Sequence, residues 1–209
     1  MKSLKRKLQF SSLYKFLNKI WQRLVWIKWS VKGKSLPPPH EIKQMAIEKY
    51  AKHYDIKNLI ETGTYRGKMV IAMREKFDHI TSIELDQTLS DNARELFINY
   101  EHITILQGNS ANILSSVLQK IKHPVLFWLD GHYSGGETAN GIKETPIMEE
   151  LDIIFSHPIS KHVILIDDAL CFNGSHDYPT FEQLEEFVLK YPVQTDIKVD
   201  NNIIYITPV

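Results

Sequence analysis

The sequence predicts an α/β fold, a doubly wound and mostly parallel seven-stranded sheet that closes with a C-terminal antiparallel hairpin. Three observations carry this expectation. From Asn58 onward, short strand-like runs alternate with longer stretches of helical periodicity, the order that builds right-handed crossovers and a sheet covered on both faces. Val163-Ile164-Leu165-Ile166 is unbroken apolar sequence, as expected of a central strand buried on both sides. The chain ends in two short strand-like runs separated by Asp200-Asn201, a pair suited to a tight hairpin turn.

Five parallel strands are expected at 58–61, 80–84, 103–107, 125–130 and 163–167, and the hairpin pair at 194–199 and 202–207. Helical periodicity falls at 41–53, 68–77, 89–100, 111–121, 147–155 and 181–191. Before them, Phe10, Leu13, Leu17, Ile20, Leu24 and Ile27 recur at alternating spacings of three and four, which is one face of a helix. Gly33 and Pro37-Pro38-Pro39 end that helix. The organisation read from this is a basic amphipathic arm and Pro-rich linker over 1–39, then one domain over 40–209.

Charge divides along the same boundary. Lys and Arg balance Asp and Glu at 25 each, yet residues 1–40 hold about ten Lys or Arg and no Asp or Glu. The body is therefore acidic, which argues against a nucleic-acid-binding surface. A basic helix carrying Trp21, Trp26 and Trp29 suits contact with an anionic membrane surface; packing on its own domain or on another subunit, including a homo-oligomer, fits the same pattern. The single cysteine, Cys171, excludes an intramolecular disulfide and a cysteine zinc cluster. Basic residues interrupt each apolar run that would serve as a signal core, so cytoplasmic residence is expected, with the arm peripheral at the inner membrane surface as its variant.

Two constellations carry chemistry. In the first, Glu61-Thr62-Gly63-Thr64-Tyr65-Arg66-Gly67 follows the first strand and opens a helix. Its glycine spacing is neither the dinucleotide fingerprint nor a P-loop, so it reads either as a ligand loop or as a compact strand-to-helix turn. Glu84 ends the second strand, where a carboxylate accepts hydrogen bonds from ribose hydroxyls; Asp86 reads as a helix cap. Asn109 and Ser110 follow the third strand, in reach of an adenine edge. In the second, Asp130 leads a glycine-rich loop with His132, Tyr133, Glu137 and Thr138, and Asp167-Asp168 ends the next strand. Three carboxylates on neighbouring strand ends repel one another unless a cation joins them, and all-oxygen donors favour Mg²⁺, with Mn²⁺ or Ca²⁺ as alternatives. Capping of the next segment by Asp167-Asp168 is the reading without a metal. His157, His162 and His176 lack ligand spacing and read as surface or structural.

The Glu-x-Gly-x-x-x-Gly loop, Glu84, the Gly108-Asn109-Ser110 turn and the terminal strand pair resemble the class I S-adenosylmethionine-dependent methyltransferases, from about Leu59 to the C-terminus. That resemblance implies a Rossmann-like methyltransferase fold, with the methionine end of the cofactor near Glu61 and Gly63 and within reach of Thr62, Thr64, Tyr65, Gly67 and Asp130. It places the ribose at Glu84 and adenine near Asn109 and Ser110. Asp130, Asp167 and Asp168 resemble the metal ligands of the branch that methylates sugar hydroxyls in macrolide and aminocoumarin pathways. The resemblance implies a base two residues beyond Asp130, where this chain has His132 in place of the usual carboxylate. His132 serves there as the proton acceptor, or orients Asp130, or binds substrate. The function implied is Mg²⁺-dependent O-methylation of a sugar or glycan-like acceptor in polysaccharide biosynthesis. Two rivals stand beside it, a metal-dependent hydrolase of a phosphate or glycan and a non-catalytic cofactor-binding assembly module.

Overall fold

The structure, a computed structural model, describes residues 12–131 and 145–209. Helix α1 (Ser12–Val31) and helix α2 (His40–His53) precede strand β1 (Asn58–Thr62). Then follow α3 (Lys68–Met73), β2 (His79–Glu84), α4 (Gln87–Phe97), β3 (Ile103–Gln107), α5 (Ser110–Leu118) and β4 (Leu126–Leu129). The chain continues through α6 (Ile147–Phe155), β5 (Val163–Ile166), a single 3₁₀ turn at Ala169–Cys171, α7 (Phe181–Val188), β6 (Thr195–Asp200) and β7 (Ile203–Pro208). The strands form one seven-stranded sheet in the order β3-β2-β1-β4-β5-β7-β6, parallel except for the pairings of β7 with β5 and β6. This is the doubly wound sheet that the pattern predicts and the Rossmann-like methyltransferase fold that the resemblance implies.

Alternation along the strands builds two cores. Leu59, Ile80, Leu126, Trp128, Val163 and Leu165 face α2, α3 and α4, while Ile60, Ile83, Phe127, Leu129, Ile164 and Ile166 face α5, α6 and α7. All four residues of β4 and all four of β5 are buried, which is why those stretches read as continuous apolar sequence.

The expected helices at 68–77, 89–100, 111–121 and 181–191 each end three or four residues early. The cause is common to all. Lys76, Tyr100, Ile121 and Tyr191 donate their amides to the carbonyls of Met73, Phe97, Leu118 and Val188, three residues back, so the last turn tightens out of α geometry. The hairpin turn lies one residue beyond expectation, at Asn201 and Asn202, with φ of 54° and 62°. A two-residue turn of this kind needs two left-handed residues, and asparagine tolerates that conformation better than aspartate's neighbour Val199 would. Asp86 and Thr180 cap α4 and α7 as read, the latter through a reciprocal capping box with Gln183.

Helix α1 docks on α2. Trp21 Nε1 donates to Glu41, Gln22 to Gln44, and Trp29 is buried with its indole N–H on the Ser35 carbonyl. Leu17, Ile20, Leu24 and Ile27 remain exposed on its other side. No helix among the described residues is long and apolar enough to cross a membrane.

Two of the histidines read as surface or structural, His157 and His162, form a relay at the opposite end of the sheet from the glycine loop. The Val125 amide donates to His162 Nδ1 at 3.1 Å, so the His162 proton sits on Nε2 and points to His157 Nδ1 at 3.1 Å. His157 Nε2 then donates to the Leu118 carbonyl. Every nitrogen is used in the neutral form, and burial, with the His157 ring adding to it, pushes His162 down to about 4. A histidine lowered in the folded state contributes stability that is complete above its unfolded value and is lost as pH falls toward the folded one. Wild type should therefore lose on the order of 3 kcal/mol more than a His162→Gln variant as pH falls from about 6.5 to about 4. Urea unfolding at a series of pH values reads the difference, and parallel pH profiles would remove the relay's role.

Candidate functional site

The C-terminal ends of β3, β2, β1, β4 and β5 lie side by side. The chain reverses direction of winding between β1 and β4, so the crevice of this sheet opens there. Register and parity then decide what arrives. Glu61 pairs across to Ser82 on β2 and Trp128 on β4. Glu84, Asp130 and Asp167 fall in phase with the residues of β2, β4 and β5 that face α2.

The loop after β1 is closed by its own hydrogen bonds. The Gly63 and Thr64 amides donate to the Ile83 carbonyl, the Tyr65 amide to Glu84 Oε2 at 2.6 Å, and the Gly67 amide to the Thr64 carbonyl. These donors are spent within the protein, so the loop is not a phosphate cradle of the P-loop or dinucleotide kind. Gly63 has φ +85°, and a Cβ there would lie 2.3 Å from the Asp130 carbonyl oxygen. The glycine permits a backbone-to-backbone approach between the loops of β1 and β4 that no other residue permits.

Glu61 is fully buried, and its carboxyl is bonded to the Ser82 hydroxyl, which in turn meets Thr64 Oγ1 at 2.6 Å. Burial pushes it up to about 8 against the pull of Ser82, with the charges of Asp130 and Glu84 adding to the rise. Glu84 accepts one backbone amide on each oxygen, from Tyr65 and from Asp86 at 3.0 Å. Each oxygen keeps a further lone pair for a ligand hydroxyl. Asn109 caps α5 through Oδ1 on the Ala111 amide. Ser110 is buried beside Glu150. Glu61, Gly63, Thr64, Tyr65, Gly67, Glu84, Asn109 and Asp130 thus lie at one end of the sheet, while Thr62 turns to its other face beside Glu150. S-adenosylmethionine, which carries no phosphate, fits this donor set: a carboxylate pair for its polar ends and no demand on the spent amides.

The second rim holds Asp130, Asp167 and Asp168; His132 lies outside the described residues, as do Tyr133, Glu137 and Thr138. Asp167 is 2% exposed. Its Oδ2 is ion-paired with Lys43 Nζ from α2, and its Oδ1 accepts the Asp168 amide. Asp168 turns away in left-handed geometry, φ +53°, and its Oδ1 accepts from Asn202 Nδ2 at 3.0 Å. Burial works against the Lys43 ammonium, but the charge of Asp167, with Asp130 and Asp168 behind it, outweighs burial and holds Lys43 above the ordinary lysine range. Burial likewise pushes the Asp167 carboxyl upward while Lys43 pulls it back; with the ammonium held protonated, the two form an ion pair. A divalent ion shared by Asp130, Asp167 and Asp168 does not fit this arrangement. The lysine holds the oxygen such an ion needs, and among the described residues no three His, Cys, Asp or Glu side chains are grouped to hold a metal.

Sequence reasoning missed Lys43 and Glu150. Glu150 is 1% exposed and lines a small cavity with Gly131, Thr145, Asp167 and Tyr178. Burial pushes it up to about 7 against the pull of the neighbouring Ser110 and Thr62 hydroxyls. Both residues had a legible signal. Lys43 stands in the stripe Ile47, Tyr50 and Ala51, and Glu150 in the stripe Ile147, Leu151 and Ile154; a charge inside an apolar stripe is buried with a task or a partner.

No protein-family model matches the sequence, and no curated protein matches it. Solved structures match its fold. The O-methyltransferase TomG from Streptomyces achromogenes, involved in tomaymycin synthesis and solved with SAM, is similar at TM-score 0.58 and 12% identity over 81% of each chain. An O-methyltransferase from Bacillus cereus, in complex with SAH, reaches TM-score 0.58 at 11% identity over 89% of this chain and 90% of its own. The SAH-bound Podospora anserina methyltransferase PaMTH1 reaches 0.57 at 14% identity over 96% and 97%. At such identities the likeness is one of fold.

The contact at Gly63 separates strain from collision. Gly33 has nearly the same φ, +81°, with nothing within 4 Å of an added Cβ. Gly33→Ala should cost about 1 kcal/mol, and Gly63→Ala about 3 kcal/mol or more. Equal thermal melts for the two variants would contradict the close approach.

Proposed function

We propose that the protein is an S-adenosylmethionine-dependent O-methyltransferase whose acceptor is a hydroxyl of a sugar or glycan-like small molecule. The observation that carries this reading is the rim itself: a loop whose amides are spent within the protein and two acidic strand ends beside the β1/β4 crevice, next to a small cavity lined by buried Glu150 and Asp167. The relatives of this fold that bind SAM or SAH and are O-methyltransferases support it. Fold likeness leaves the acceptor open, so the hydroxyl and the sugar rest on the cavity's chemistry and on the sequence resemblance.

Bound S-adenosylmethionine supplies a methyl group on a positively charged sulfur. The protein's share is to hold the acceptor oxygen in line with that carbon and to keep water out. Glu84 holds the ribose hydroxyls, Glu61 and Gly63 the methionine end, and Asn109 with Ser110 the adenine edge. As the oxygen–carbon bond forms, the sulfur–carbon bond breaks with its electrons left on sulfur, and the hydroxyl proton passes to a base. His132 takes that role in this reading, since an imidazole accepts a proton near neutral pH. The Mg²⁺ that the sequence pattern suggests has no fitting donor set while Lys43 holds Asp167, and no step runs through it. A hydrolase built on the same acidic residues leaves the Glu61–Gly67 loop and Glu84 without work, and an assembly module leaves the Glu150 cavity without work.

The domain, in this reading, spans 40–209, works in the cytoplasm and acts on no nucleic acid. The basic arm makes peripheral contact with an anionic membrane face or another subunit through Leu17, Ile20, Leu24 and Ile27, which α2 leaves exposed. Deleting residues 1–34 should then abolish co-sedimentation with anionic liposomes; sedimentation that is unchanged would remove the membrane role.

Calorimetric titration of S-adenosylmethionine into metal-free protein tests the cofactor site. Glu84→Ala should weaken binding about 10- to 100-fold, the worth of charge-assisted hydrogen bonds. Glu61 adds a signature in pH. Protonated below about 8, it gives up its proton when positive charge arrives beside it, so affinity rises as pH climbs toward that value and levels off above it. The binding heat near pH 7 should depend on the buffer's ionisation enthalpy, and Glu61→Gln should abolish that dependence. Absence of cofactor binding under every condition would sink the methyltransferase reading.

A further inference from the structure

Lys43 enters the acceptor rim from a helix outside both sequence motifs. Its stem continues the buried stripe of Ile47, Tyr50 and Ala51, and the side chain is 16% exposed against 1% for the Asp167 carboxylate it pairs with. A lysine packed to that depth persists only with its charge matched. The match is the Asp167 carboxylate, whose Oδ2 is ion-paired with Lys43 Nζ.

We propose that the Lys43 ammonium is the resident cation of the acceptor site, standing where the acidic pattern would otherwise hold a divalent metal. The geometry that carries it is the Lys43–Asp167 pair on a carboxylate that a metal would need. The inference takes the reaction from the methyltransferase reading, but the ion pair stands without it. An ammonium has three donors; Asp167 takes one, and the others serve an incoming oxygen whose negative charge grows as methyl transfer proceeds. Electrostatic help of this kind is fixed in advance and needs no exchangeable ion.

Titration of Mn²⁺ followed by electron paramagnetic resonance tests this on metal-free full-length protein without any acceptor. Wild type and Lys43→Arg should leave the free-ion signal unchanged up to about millimolar protein and metal. Lys43→Met, with Asp167 released from its ammonium, should bind one Mn²⁺ at least about tenfold more tightly, and adding Asp167→Asn should remove that gain. A wild type that itself binds one Mn²⁺ tightly, and loses it in Asp167→Asn, overturns the proposal; so does a folded Lys43→Met that gains no binding. The wild-type titration decides the matter even if Lys43→Met fails to fold. Titration of wild type with S-adenosylhomocysteine in the presence of a chelator reads the cofactor site separately. Failure there removes the methyltransferase reading and leaves the ion result intact.

Discussion

Successive side chains of a strand face opposite sides of the sheet, and the parallel register of β1 with β2 and β4 fixes which of them share a side. Almost everything at the rim depends on this phase. It sets Glu61 beside Ser82, carries Glu84 and Asp130 to the same face, and brings Asp167 under α2 where Lys43 waits. Thr62, one residue along from Glu61, goes to the other side and meets Glu150 from α6. A slip of one residue in either pairing would exchange the two sets. The buried runs of β4 and β5 resist such a slip, because each of their residues already packs on one core or the other.

The two halves of the rim manage charge differently. Around β1 and β2, carboxyl groups are kept by hydrogen bonds and by a proton: Ser82 and two backbone amides stand in for a counter-charge. Around β4 and β5, a full ammonium is brought in from α2. The first arrangement suits a ligand that carries positive charge of its own. The second suits a neutral ligand that becomes negative during reaction. That division follows the crevice between β1 and β4, with one reactant expected on each side.

Much of this was legible in the sequence, and the reason is periodicity. The seven strands, their parallel order up to β5 and the closing hairpin follow from runs such as 163–166 and from turn residues at 200–202. Helix ends were read too long because an i→i−3 turn keeps the apolar spacing of a helix for one more step, as at Tyr100 and Tyr191. At the rim, the motif residues of β1, β2 and β3 could be named because each directly follows a strand. What the sequence hid was partnership across the fold. Nothing in Asp167-Asp168 says that its first member faces a lysine 124 residues earlier, nor that its second turns left-handed onto Asn202. The misplaced charge in the stripe of α2 was the visible trace of the first of these contacts.

The contact between Gly63 and the Asp130 carbonyl has a further meaning for how such a protein can change. Two loops that touch through their main chains share one wall, and neither can be reshaped alone. Substitutions in the segment after β4 that shift its path also move the floor under the opposite loop. Asp130 and Gly131, the first residues of that segment, are therefore held to a single path by the loop opposite them.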